Sequence, residues 1–223
     1  MTQAQLDGTG TVRLGLVAPT RDAALGADVS IPFHARGVVL FAHGSGSSRF
    51  SGRNRHVAGV LQQAGFATVL LDLLTQEEEA IDAVSHAIRF DIPLLAERLA
   101  DVTDWCRSFD ELHGLRAAYF GASTGAAAAL VAAAQRPQLI SAVVSRGGRP
   151  DLAGEHLGRV YAPTLLVVGS LDTHVLPCNI EARKRLGGPA DLQVVPGASH
   201  LFEEPGTLDR AAGLAVSWFK RFV

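Results

Sequence analysis

Three features of the 223-residue chain predict an α/β architecture, a mostly parallel sheet flanked by helices on both faces. Short apolar runs such as Val38-Val39-Leu40-Phe41-Ala42 and Ala67-Thr68-Val69-Leu70-Leu71 lack polar alternation, as strands covered on both sides do. Helix-forming segments alternate with these runs along the chain, the pattern of parallel strands joined by crossovers. Glycine-containing loops follow several strands, at the edge where open sheets of this kind build their sites.

Residues 12–17 have the partial alternation of an edge strand and stop at Pro19, which cannot continue a ladder. Residues 29–33 make a weaker strand candidate. The central strand 38–42 runs into His43-Gly44-Ser45-Gly46-Ser47-Ser48, and a helix over 53–64 follows, with Gly65 as its stop. After the strand 67–71, residues 75–89 read as a helical excursion over the sheet edge. The acids Glu77, Glu78 and Glu79 sit favourably at its positive end. A further helix starts near Asp91, tolerates Pro93 in its first turn and gathers Leu94, Leu95, Leu99, Val102 and Trp105 on one face.

The strand 117–120, a helix ended by Pro137 and the strand 139–144 continue the alternation. Residues 164–168 and 192–195 give two more strands, 179–186 a polar helix and 207–222 a closing amphipathic one. The length suits a single domain over 1–223 with a substantial core. Hydrophobic residues at 48% against charged ones at 19% describe a compact chain, and a net charge of -2 offers no attraction to nucleic acid or an anionic membrane.

Cys106 and Cys178 form neither a disulfide framework nor a spaced metal site, so the expected compartment is the cytoplasm and no metal or cofactor is implied. Residues 1–10 lack the basic and apolar regions of an export signal. No apolar run approaches the roughly 20 residues that span a bilayer. The expected partner is a small-molecule substrate; oligomeric state is not encoded.

Chemistry concentrates at Gly121-Ala122-Ser123-Thr124-Gly125, between a strand and an alanine-rich helix. Glycines two residues either side of Ser123 remove β-carbons that would clash in a sharp turn, which is how a nucleophile elbow lifts its hydroxyl above a sheet. A serine hydroxyl needs a base to take its proton, and the base needs an acid to hold its tautomer. On such elbows the acid and base follow the nucleophile along the chain. Asp172 lies beyond the strand 164–168 and His200 beyond the last strand, whereas Asp151 is a rival acid and His156 and His174 are rival bases.

His174 stands only two residues from Asp172, too near to be oriented by it across a cleft. Negative charge on a reacting carbonyl calls for two backbone N–H donors. Thr124, next to the nucleophile, is one, and the loop after strand 38–42 supplies the other, Ser45 in preference to Gly44. His43 then fixes that loop. A phosphate cradle is the competing reading of the loop, but it lacks the Gly-Lys-Ser/Thr ending.

These motifs resemble the α/β-hydrolase superfamily, and within it bacterial dienelactone-hydrolase-like proteins without a large cap. Phe41-Ala42-His43-Gly44-Ser45-Gly46, Ser145-Arg146-Gly147-Gly148-Arg149-Pro150-Asp151 and Ser199-His200-Leu201-Phe202-Glu203-Glu204-Pro205 carry the likeness. The resemblance implies an eight-stranded, mostly parallel sheet with its first strands antiparallel, and a triad of Ser123, Asp172 and His200. Dienelactone hydrolases proper use cysteine as nucleophile, whereas this chain has Ser123, so the lactone substrate is not inherited with the fold. The expectation is a cofactor-independent serine hydrolase cleaving small carboxylic esters or lactones through an acyl-enzyme.

An acyltransferase or peptidase on the same triad, or a non-catalytic binding module, are the alternatives. Arg146 and Arg149 are candidate contacts for a substrate carboxylate, against the commoner role of structural ion pairs. Arg49, Arg53 and Arg55 are similarly placed near the oxyanion loop. Residues 77–89 form a candidate lid.

Overall fold

A single sheet, in a computed structural model that describes residues 11–223 and the backbone of Gln5–Leu6, organises the chain. The reading of residues 1–10 as lacking an export signal otherwise concerns residues outside those described. In chain order the strands are β1 (Gln5–Leu6), β2 (Val12–Pro19), β3 (Ala24–Ile31), β4 (Gly37–Ala42), β5 (Ala67–Leu71), β6 (Arg116–Ala122), β7 (Ile140–Arg146), β8 (Thr164–Gly169) and β9 (Ala190–Val195). They lie side by side as β1-β2-β3-β5-β4-β6-β7-β8-β9, so the two-residue β1 adds a ninth member to the eight expected.

β1, β2 and β3 join antiparallel, and every pairing from β5 to β9 is parallel. The burial follows from this. β4, β5 and β8 are buried at every residue, as their unalternating sequences require. β2 instead alternates between exposed and covered positions.

Two elements differ from the sequence expectation. The strand expected at 29–33 is displaced to Ala24–Ile31, because Leu25, Ala27 and Val29 supply its covered face while Phe33 lies 79% exposed beyond its end. Intervening Gly26 and Asp28 hide that alternation from a propensity reading. The helix expected at 179–186 starts earlier, as α5 (Val175–Arg185): the Asp172 carbonyl accepts N–H bonds from Val175 and Leu176 and winds the chain there. Residues Pro150–Arg159, unassigned from sequence, form a 3-10 run broken at Gly154.

Helices α1 (Gly52–Gln63) and α6 (Thr207–Phe222) cover one face, and α3 (Ile92–Ser108), α4 (Thr124–Gln135) and α5 the other. α4 is buried on ten residues, and its alanines let it lie close against the sheet and α3. Helix α2 (Gln76–Ser85) is the expected excursion, opened by a reciprocal cap in which Thr75 accepts the Glu78 N–H and Glu78 accepts the Thr75 N–H.

Ion pairs hold α2 in place. Arg98, whose side chain is 2% exposed, donates from Nη2 to Asp22 at 2.8 Å and from Nη1 to Glu78 at 2.6 Å and to the Leu73 carbonyl at 3.0 Å. Asp82 receives the Arg89 Nε at 2.5 Å. Among the described residues no helix is long and apolar enough to cross a membrane.

Candidate active site

The elbow is set by backbone geometry. Ser123 has φ 51° and ψ -122°, a strained conformation for a residue with a side chain. A β-carbon at Gly121 would overlap the Ala126 backbone, and one at Gly125 would overlap the Ala42 and His43 carbonyl oxygens. The glycines thus let β6, α4 and the loop after β4 converge beneath the serine. The Ser123 N–H bonds the Arg146 carbonyl at 3.3 Å, and the Ser123 carbonyl receives the Arg149 N–H at 3.0 Å, so neighbouring β7 braces the turn.

Asp172 and His200 come together because β8 and β9 are adjacent and parallel, aligning Gly169 with Val195 at the same sheet edge. The loops beyond them are tied by Leu171 N–H to the Ala198 carbonyl at 2.9 Å and Gly197 N–H to Ser170 Oγ at 2.8 Å. His200 Nδ1 then lies 2.6 Å from Asp172 Oδ2. The carboxylate accepts, so Nδ1 carries a proton, and in the neutral imidazole Nε2 then keeps its lone pair. The aspartate side chain is 7% exposed and the histidine 37%, an oriented base with one side open.

Glu204, to which sequence reasoning gave no role, accepts the Ser199 N–H at 2.9 Å and holds the histidine loop in shape; that bond keeps its carboxyl below the usual range. An acid five residues after a serine in a tight loop was the available signal.

The rivals are occupied elsewhere. Asp151 receives both Arg149 Nε at 2.9 Å and Nη2 at 2.7 Å, and this guanidinium lowers its pKa. Arg149 is therefore in the structural pair that competes with a substrate role. His156 Nδ1 meets Arg159 at 3.0 Å, and His174 sits at the start of α5, exposed.

The loop after β4 reaches the elbow. Ser45 Oγ and Thr124 Oγ1 are 3.0 Å apart, and a β-carbon on Gly44 would stand 3.0 Å from the Ser123 β-carbon. The Ser45 N–H finds no acceptor among the described residues, and that of Thr124, first in α4, has none within its helix. His43 anchors the loop: Nε2 accepts the Leu73 N–H at 3.0 Å, so Nδ1 donates to the Gly44 carbonyl at 3.0 Å. Burial lowers the pKa of this imidazole, which favours the neutral form that this pair of bonds requires.

A cleft of about 660 Å³ opens from Ser45 and Thr124 between this loop and α2, with Leu74, Glu79 and Arg89 on its far wall. Desolvation raises the Glu79 carboxyl. Cys106 is buried, its thiol pushed up to about 12, and Cys178 is free. Neither is at the elbow. Among the described residues no cluster of three or more His, Cys, Asp or Glu is arranged to hold a metal ion.

Sheet order and elbow together place the molecule among the α/β hydrolases. It is 51% identical to dienelactone hydrolase from Anabaena variabilis, whose crystal structure matches with a TM-score of 0.92 over 100% of this chain and 99% of that one. The chain belongs to the dienelactone-hydrolase family. The esterase Est1E from Butyrivibrio proteoclasticus shares the fold at 14% identity and a TM-score of 0.74, covering 92% of this chain and 99% of its own.

Two Mycobacterium tuberculosis proteins, provisionally named phosphoribosyl transferases, are 59% identical over 191 residues, 86% of this chain. The chain spans 42% of their length. No family model matches the sequence.

Proposed function

We propose that the protein is a serine hydrolase of small carboxylic esters or lactones. Ser123 attacks the acyl carbon, and His200 Nε2 takes its proton and returns it to the leaving alcohol. Asp172 holds the imidazole, and the N–H groups of Thr124 and Ser45 receive the charge on the carbonyl oxygen. Water, activated by the same histidine, releases the acid. The observation that carries this reading is the buried Asp172 bonded to His200 at 2.6 Å on the sheet edge where the strained Ser123 also stands.

The cleft of about 660 Å³ beside Ser45 has room for the acyl or alcohol group of a small ester, with no cofactor needed for these steps. The transferase name belongs to relatives more than twice as long, of which the matched segment is 42%. Free Cys106 and Cys178 fit a reducing cytoplasm.

Labelling with a fluorophosphonate followed by mass spectrometry of the Ser123 peptide tests the nucleophile. Turnover of a 4-nitrophenyl ester that persists in folded Ser123→Ala would overturn the reading.

A further inference from the structure

Two acids of α2 are answered by arginines: Glu78 meets Arg98 at 2.6 Å, and Asp82 meets Arg89 at 2.5 Å. Glu79 is not. Its N–H bonds the Thr75 carbonyl at 2.9 Å, but its carboxyl has no hydrogen bond or ion pair among the described residues. The residue is exposed and forms part of the cleft wall across from Ser45 and Thr124.

The cations around that cleft are committed elsewhere. Arg89 is held by Asp82, Arg49 donates from Nη1 to Asp72, and Arg55 Nη2 donates to Asp28 at 2.9 Å. Desolvation, and after it repulsion from Asp72, raises the Glu79 carboxyl, while Arg49 offsets this in smaller measure. A negative charge in the first turn of α2 suits the helix dipole at 77, 78 and 79 alike, but that role needs no side chain in a cleft. The cleft is left with an unpaired acid. A carboxylate so placed only accepts hydrogen bonds, and it attracts cations and repels anions that enter beside it.

Reaction geometry says which part of the substrate lies there. In the tetrahedral intermediate the carbonyl oxygen faces the N–H groups of Ser45 and Thr124, and the leaving oxygen faces His200, which must protonate it. Ser45 and Thr124 line the cleft, whereas His200 does not. The substituent directed into the cleft is therefore the acyl chain, with Glu79 on the opposite wall. Arg146, a candidate contact from sequence, is 6% exposed and lines no part of this cleft.

We propose that Glu79 determines acyl specificity, pairing with a cationic group, a protonated or quaternary amine, on the acyl chain of the ester and disfavouring chains that end in a carboxylate. The inference rests on the serine-hydrolase reading and names a substrate class for the same site. Glu79 acts here on binding, so its effect belongs in KM.

The test uses three 4-nitrophenyl esters with the same leaving group: the cationic 4-(trimethylammonio)butanoate, its neutral carbon isostere 5,5-dimethylhexanoate, and the anionic glutarate monoester. Rates are corrected for spontaneous hydrolysis. The native enzyme should favour the cationic ester over the isostere about fivefold in kcat/KM, and disfavour the glutarate by a similar factor. Rising ionic strength should shrink both ratios. Glu79→Gln should bring them close to one, chiefly through KM, and Glu79→Lys should reverse the order. A role confined to the stability of α2 predicts no such reversal.

A native enzyme without the preference, or a preference unchanged in folded Glu79→Gln, overturns the proposal. If circular dichroism shows Glu79→Lys unfolded, Glu79→Gln decides. Failure of the hydrolase reading is separable, because it would show as turnover surviving in Ser123→Ala. Calorimetry on Ser123→Ala reports the specificity without catalysis: the cationic ester should bind more tightly than its isostere, and the difference should vanish on adding Glu79→Gln. Equal binding of the two esters to Ser123→Ala counts against Glu79.

Discussion

The two sides of Ser123 are held by different forces. On one side, Asp172, His200 and the elbow grow from the ends of adjacent buried strands, and backbone bonds between their loops fix them. On the other, α2 overhangs the cleft at Ser45 and is fastened mainly by side-chain ion pairs from Arg98 and Arg89. On the proposed reading, the contrast separates chemistry from substrate access. A backbone ladder changes little with pH or salt, whereas an anchor made of carboxylates and guanidinium groups depends on both. α2 also carries Ile81 and Val84, 58% and 84% exposed, and so has little apolar burial to replace a lost ion pair.

The largest expected effect breaks the first side. Ser123→Ala should lower kcat on a short aryl ester by a factor on the order of 10⁴ or more, and Asp172→Asn by about 10³ or more through the wrong histidine tautomer, with the melting temperature close to that of the native chain. Steady-state kinetics with thermal denaturation checks both. A comparable loss of stability would mean that the triad residues serve the fold.

Breaking the second side should act on stability and access. Arg98→Met strands Glu78 and Asp22 and should cost about 3 kcal/mol in urea denaturation, while limited proteolysis near α2 accelerates. Acid offers a milder version of the same break. Arg98 holds the Glu78 and Asp22 carboxyls below their usual values, so this stabilisation is present above the ordinary carboxylate range and is lost as pH falls through the depressed values. Protease susceptibility at α2 should therefore rise on acidification before global unfolding.

His43 links the two sides, through Leu73 after β5 and Gly44 after β4. Its pKa is lowered in the folded chain from an ordinary value of 6.5, so the unfolded chain takes up the proton first. Stability should be unaffected by this group above that value and decline as pH drops below it. In His43→Gln that part of the pH dependence should vanish, at a loss of about 1–2 kcal/mol for the missing bonds. The smallest effect sharpens the comparison from the surface: Val84→Ser should change stability by less than about 0.5 kcal/mol.

Much of the first side was legible in the chain. A glycine-bracketed serine between an apolar run and an alanine run has few local conformations open to it, and uninterrupted apolar strands signal burial on both faces. The second side was not. Arg98 meets Asp22 across 76 residues and Glu78 across 20, and no local pattern marks which arginine will find an acid. The same limit applied to the pair that sequence treated alike, Arg146 and Arg149: Arg149 is paired with Asp151, whereas Arg146 has Nε and Nη1 enclosed without an acceptor among the described residues.

Sequence by itself determined the strand and helix alternation, the elbow at Ser123 and the order in which Asp172 and His200 follow it, because periodicity and turn chemistry act over a few residues. Only the tertiary structure decided that β8 and β9 bring Asp172 to His200, that β3 begins at Ala24, and which charged side chains are paired. Those outcomes depend on distances between segments remote in the chain, which are set when the sheet assembles and its two faces are covered.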